Sequence, residues 1–246
     1  MSGATNNRKD EITVVHTLVF DSGEMNAAFN ELASSADGLP VARGAKGNLF
    51  ACPYLARDND HTTYMFSRWE TQKDWDNYLN HRREISPDWF KPMCEPETVL
   101  CLRELKTSPT KNNKEGDLLF APGPGAIANF HTWQFENAEF KSEVAEFWGD
   151  QEVGLPASSA YPGNIFVSGF EAIDRENCLV ALNAWESHEI FLEYRQMRRD
   201  TAPDTVQPFL VDGVMRSLMS VKSTKTRELG VNLVLKKSTL RAPKRY

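Results

Sequence analysis

WETQKDWDNYLNHRREISPDWFKPM (69–93) lies without a gap over WESHEIFLEYRQMRRDTAPDTVQPF (185–209), residue i matching residue i + 116. The two segments share Trp69/Trp185, Glu70/Glu186, Tyr78/Tyr194, Arg82/Arg198, Arg83/Arg199, Pro87/Pro203, Asp88/Asp204 and Pro92/Pro208. Ordinary residue usage would give roughly one or two identities over such a window. The match continues upstream through Gly38-Leu39-Pro40 and Gly154-Leu155-Pro156. It also pairs Gly47-Asn48-Leu49-Phe50 with Gly163-Asn164-Ile165-Phe166. Further back His16-Thr17 and Phe20 meet His131-Thr132 and Phe135, one residue out of step. A repeat on this scale points to a duplicated domain, so the 246 residues divide in two.

Each copy carries the same order of elements. EITVVHTLVF (11–20) and AIANFHTWQF (126–135) are rich in β-branched and aromatic residues, as strands are. An amphipathic helix follows, with Met25, Phe29 and Leu32 in one copy and Phe140, Val144 and Phe147 in the other. Gly-Leu-Pro is expected to end that helix, since glycine and proline collect past the last turn. Strands are predicted from Gly-Asn-[Leu/Ile]-Phe and through 61–69 and 177–185. A second helix opens at Thr71 or Ser187, and a last strand covers about 97–105 and 214–222. The fold class is therefore α+β: two ferredoxin-like βαββαβ repeats whose sheets close an intramolecular pseudo-dimeric barrel. The expected divisions are 1–108 for the first domain, 109–125 for a linker, 126–222 for the second domain and 223–246 for a C-terminal strap and basic tail. Within the linker, Leu118-Leu119-Phe120 is expected to dock in a groove, and Val231 to Leu235 to form an edge strand or strap.

Bulk composition excludes several function classes. A net charge of −6 gives no electrostatic reason to expect nucleic acid or a membrane surface as partner. No apolar run approaches the ~20 residues needed to cross a bilayer. MSGATNNRKDE lacks the apolar core of a secretory signal, and Cys52, Cys94, Cys101 and Cys178 show no CxxC spacing. Reduced thiols and a cytoplasmic location are expected. P-loop, GxGxxG, HExxH and GxSxG patterns are absent from the sequence.

Strand alternation puts His16, Leu18 and Phe20 on the face toward the helices, with His131, Trp133 and Phe135 in the copy. On the second helix Tyr78 and Arg82 lie one turn apart, as do Tyr194 and Arg198, with Trp75 and Phe191 on the same face. Each copy thus offers a base, a phenol and a fixed cation around an apolar cleft. His16, Tyr78, His131 and Tyr194 are the candidate catalytic residues. Arg82, Arg198, Trp75, Phe191, Trp69, Trp185 and His81 are candidates for holding the substrate. Such parts suit an acidic aromatic ligand: arginine for an oxyanion, histidine for a phenolic proton, aromatic walls for a ring. The same residues also admit a structural role. The histidines can be satisfied core groups, the tyrosines can bond backbone, the arginines can close ion pairs, and Trp69 and Trp185 can be core packing. The copies differ at Leu18/Trp133, Trp75/Phe191 and His81/Met197. The bulkier Trp133 is expected to shrink the second pocket and leave the first as the active one.

Trp69-Glu70-Thr71 and Tyr78, repeated as Trp185-Glu186-Ser187 and Tyr194, follow a strand inside a split βαβ unit. This arrangement resembles the antibiotic-biosynthesis-monooxygenase family over most of 11–105 and 126–222. The resemblance implies a dimeric α+β barrel with pockets between helices and sheet. It also implies enzymes that oxygenate phenolic compounds without metal or flavin, or that bind and degrade haem. In the haem-degrading branch an asparagine would stand at His16 and His131, and a tryptophan at Tyr78 and Tyr194. The iron-ligating histidine would fall at Asp88 and Asp204, leaving His16 or His81 as a substitute. The expected function is a monooxygenase acting on an aromatic or quinol-type molecule with O2 and no cofactor. Haem binding and a non-catalytic binding or structural role are the alternatives. The expected assembly is a monomeric pseudo-dimer or a homodimer.

Overall fold

A computed structural model describes residues 10–57, 59–86, 88, 99–106 and 126–201, together with the backbones of 215–220 and 240–241. Leu118-Leu119-Phe120, the Val231–Leu235 strap, Cys94 and Asp204 lie outside the described residues.

The first half runs β1 (Ile12–Phe20), α1 (Gly23–Ala33), α2 (Leu39–Gly44), β2 (Asn48–Ala56), β3 (Thr62–Trp69), α3 (Gln72–Ile85) and β4 (Val99–Glu104). The second repeats it as β5 (Ile127–Gln134), α4 (Ala138–Trp148), α5 (Leu155–Ala160), β6 (Asn164–Ala172), β7 (Cys178–Trp185), α6 (His188–Thr201) and β8 (Met215–Ser220). A two-residue strand, β9 (Leu240–Arg241), follows. The longer helices begin where a short polar side chain meets their first free N–H groups. Ser22 accepts from Met25, Thr71 from Asp74, Asn137 from Phe140 and Ser187 from Ile190.

Gly-Leu-Pro does not end a helix, as the sequence suggests; it starts one. α1 stops at Ala33 and α4 at Trp148, and Gly38 and Gly154 then cap the six-residue helices α2 and α5. Pro40 and Pro156 sit in the first turn of these helices, where no backbone donor is required of them. Gly47 and Gly163 turn the chain into β2 and β6 with φ of +76° and +77°. An L side chain would be strained there.

Hydrogen bonding closes the strands into a ring in the order β3-β2-β8-β5-β7-β6-β4-β1, with β1 also paired to β3 and β9 added beside β1. Each half supplies a β2-β3-β1-β4 type of sheet. Two antiparallel seams join the halves. In one, Tyr54, Leu55 and Ala56 meet Ser220, Met219 and Leu218; in the other, Leu102, Arg103 and Glu104 meet Ala172, Glu171 and Phe170. The pseudo-dimeric barrel expected from the sequence is thus formed within one chain.

Strand alternation then sorts the side chains. Val15, Tyr54, Phe66 and Leu102 from one half and Phe130, Phe166, Val180 and Leu182 from the other fill one shared interior. The opposite faces pack beneath helices, Leu18 and Phe20 against Phe29, and Trp133 and Phe135 against Val144 and Trp148. Cys52, Cys101 and Cys178 are buried free thiols, which burial pushes up to about 11, 12 and 11 respectively. Among the described residues no helix is long and apolar enough to cross a membrane.

Because the inner face of each sheet is covered only by the other, residues 1–108 and 120–246 produced separately should aggregate or re-associate. Size-exclusion chromatography of each fragment alone and of the mixture checks this. Two stable, soluble monomeric halves would contradict it.

Candidate functional site

Each half holds a pocket between the outer face of its sheet and its helices, and the two differ. The first, about 550 Å³ with its open mouth included, is lined by His16 of β1, Ser67 and Trp69 of β3, and Trp75, Tyr78 and Leu79 of α3, with Leu39 and Ala42 of α2 behind them. Its walls are aromatic and tightly set. Trp69 lies 4.8 Å from Tyr78 and 5.5 Å from Trp75 between ring centroids, and the His16 ring meets Trp75 edge-on at 5.4 Å.

The second pocket, about 740 Å³ with its open mouth included, is lined by His131 and Trp133 of β5, Ala181 and Asn183 of β7, and Phe191, Tyr194, Arg195 and Arg198 of α6. Leu155 and Ser158 of α5 complete it. It is the larger one, which reverses the expectation drawn from Trp133. Trp133 stands edge-on to Trp148 at 5.0 Å and forms a wall. Space opens elsewhere, because Met65 of the first pocket is matched by Ala181 and Trp75 by Phe191.

The polar lining differs more than the size. Leu79 is matched by Arg195, Ser67 by Asn183 and Ala42 by Ser158, so the second pocket gains a guanidinium, an amide and a hydroxyl. Arg198 also lines it, its guanidinium 5.9 Å from the Phe147 ring centroid. Its partner in the repeat does not enter the first pocket. Arg82 is 2% exposed and donates to the Asp37 carbonyl at 2.7 Å, fastening the loop between α1 and α2. In the second half that loop is closed by Asp150, which accepts from the backbones of Glu152 and Val153. Arg198 is not needed for that task.

Two further expectations are corrected. His81 is exposed on α3 and does not line the first pocket, because at 3.6 residues per turn it lies about 120° around the helix from Trp75. Trp185 is fully buried behind the second pocket rather than lining it, 4.6 Å from the Tyr194 ring and donating to Asn183. His16, Tyr78, Trp75 and Trp69 do come together, as do His131, Tyr194, Phe191 and Arg198. Asn183, Arg195 and Ser158 escaped the sequence reading, although each marks a position where the repeat breaks.

His131 is half-buried, and its Nε2 is shielded from solvent with no hydrogen-bond partner among the described residues. Burial, helped by the nearby Arg195 charge, brings its pKa down to about 4, so the imidazole is neutral at physiological pH. Burial also raises the Tyr194 phenol above its usual value, against the opposing effects of Arg198 and a hydrogen bond with Ser158. The arrangement is a neutral base beside two fixed cations in an aromatic cleft, able to take a proton and hold the anion that results.

The sequence matches no family model and no curated protein. Solved structures do match. An anthrone oxidase-like protein superposes with a TM-score of 0.57 at 14% identity, over 90% of this chain and 97% of its own. A protein described as a candidate monooxygenase from Fusobacterium nucleatum subsp. nucleatum gives 0.57 at 11%, over 87% and 93%. A chlorite dismutase variant from Candidatus Nitrospira defluvii gives 0.51 at 11%, over 86% and 91%. At such identities the likeness is one of fold.

Two outcomes follow from the buried groups. Arg82→Met should cost roughly 1–3 kcal/mol of stability by leaving the Asp37 carbonyl without its donor, read by urea unfolding. His131 has a folded pKa below its unfolded one, so the unfolded chain binds more protons between pH 6.5 and about 4. Its contribution to stability is therefore complete above that window and lost as pH falls through it. The drop in melting temperature on acidification should be smaller in His131→Asn than in the parent.

Proposed function

We propose that the protein is a monooxygenase-like enzyme that oxidises an aromatic, quinol- or anthrone-type small molecule with O2 in its second pocket, without metal or flavin. The observation that carries this reading is the neutral, unpartnered Nε2 of His131, held in an apolar cleft beside Arg195 and Arg198. The fold likeness to an anthrone oxidase-like protein is consistent with it.

The chemistry needs few parts from the protein. His131 Nε2 takes a proton from a carbon activated by flanking rings, leaving a carbanion whose charge spreads onto oxygen. Arg195 and Arg198 stabilise that charge in a low-dielectric site, where it is worth most. The electron-rich carbanion passes one electron to O2, and the radical pair combines to form a C–O bond. The imidazolium returns its proton to the peroxide, and loss of water leaves a new carbonyl. The CH2 group and O2 thus become C=O and H2O.

In this reading the first pocket is structural, and His16 and Tyr78 are packing groups. The barrel is complete in one chain, so a monomer suffices. A second reading, haem binding, draws on the same Nε2. His131 would be the iron ligand and Arg195 and Arg198 would meet the carboxylates, the bound iron supplying the centre that handles O2. An absorption spectrum recorded on adding haem separates the two.

Oxygen uptake with a panel of anthrones and quinols tests the first reading. His131→Ala should lower turnover by roughly 10²–10⁴-fold, the usual contribution of a general base. His16→Ala should keep turnover per folded molecule. Unchanged turnover in His131→Ala removes the catalytic role. The acid limb of kcat/KM should lie near pH 4 rather than near 6.5.

A further inference from the structure

Asn183 lies on β7 at the floor of the second pocket, 8% exposed, and its amide cannot turn. Its Oδ1 accepts from the indole N–H of Trp185 and from the Asn129 amide at 3.0 Å, and Asn129 is fully buried. An indole nitrogen only donates, so the atom facing it must be the oxygen. The Nδ2 end is thereby fixed on the other side, and it meets no acceptor among the described residues. A buried amide with its acceptor occupied and its donors open is complementary to an oxygen that carries no proton.

The first half shows what the simpler arrangement looks like. There Ser67 takes the place of Asn183 and accepts from the Trp69 indole at 2.9 Å, and Val14 replaces Asn129. Both polar substitutions occur in the half that also gains Arg195. Packing alone does not call for them, since the first half buries its tryptophan equally well with a serine and a valine.

We propose that the Asn183 amide is the oxyanion donor of the second pocket. Its N–H groups receive a substrate carbonyl oxygen that becomes an enolate or phenolate when His131 takes the proton. This rests on the oxidation reading above and narrows it. The substrate has a carbonyl conjugated to the reacting carbon, as an anthrone does, rather than only hydroxyl groups. Charge moves from carbon to that oxygen, and the amide and the arginines meet it there.

The test uses the full chain, a dihydroxyanthrone as substrate and a dihydroxyanthraquinone as a coloured binding probe. Asn183→Asp keeps an acceptor for Trp185 and Asn129 but turns a carboxylate toward the ligand. Turnover of the anthrone should fall about 10²–10³-fold, as on losing an oxyanion donor. The red-shifted phenolate band of the bound quinone should disappear, with melting temperature within a few degrees. If Asn183→Asp fails to fold, Asn183→Ser installs the arrangement already present at Ser67 and should shift both readouts in the same direction. Unchanged turnover and an unchanged band overturn the proposal, as does a parent protein that fails to bind the quinone. A parent protein that binds the quinone with the shifted band, loses the band in the variant, yet consumes no O2 keeps the oxyanion site and discards the oxidation.

Discussion

Closure of the barrel across its two seams is the constraint on which everything else rests. Pairing of β2 with β8 and of β4 with β6 removes four sheet edges and seals one apolar interior contributed by both halves. A single four-stranded sheet under two helices would leave that face in water. With it sealed, each half needs its helices only over the outer face, and there the packing is loose enough to leave a cleft. The pockets exist because the interior is someone else's task.

That division explains where the halves agree and where they part. Matched inward-facing positions are apolar in both halves, as at Tyr54 and Phe170, Phe66 and Leu182, and Ala56 and Ala172, since each must fit a neighbour from the other repeat. Outward positions near the clefts face no such requirement. There Leu79 is replaced by Arg195, Ser67 by Asn183 and Met65 by Ala181. The first cleft is narrower and walled by tilted aromatic rings, with its arginine committed to a loop carbonyl. The second has opened and collected polar groups that a core would not tolerate without partners. Burial first, and the Arg195 charge second, keep the His131 imidazole unprotonated, and that same charge would welcome an anion.

Much of the fold was legible because strand periodicity and an internal repeat report backbone geometry directly. The inward and outward faces of β1 and β5 follow from alternation alone. What failed to show were features set by relative placement. Gly-Leu-Pro carries both stop and start signals, and only the four residues between Ala33 and Gly38 reveal that a second helix begins there. Trp133 reads as cleft-filling because its volume is visible in the sequence and its rotamer is not. Matching letters at Arg82 and Arg198 concealed opposite uses, since the deciding partners, the Asp37 carbonyl and Asp150, lie in loops with little similarity. His131 and Tyr194 were found from what the repeats share, and Phe191 from the helical face it shares with Tyr194. Asn183 and Arg195 were missed because they are what the repeats do not share.

A barrel assembled from two identical chains receives every substitution twice, once in each cleft and once on each side of its axis. Here the two halves are joined in one chain, so a change at Arg195 or Asn183 enters once, while the opposite cleft keeps its packing and both seams keep their strand pairing. Stability and chemistry can therefore be altered in separate halves of one molecule. Libraries aimed at the second cleft could be built over a first half left untouched as ballast.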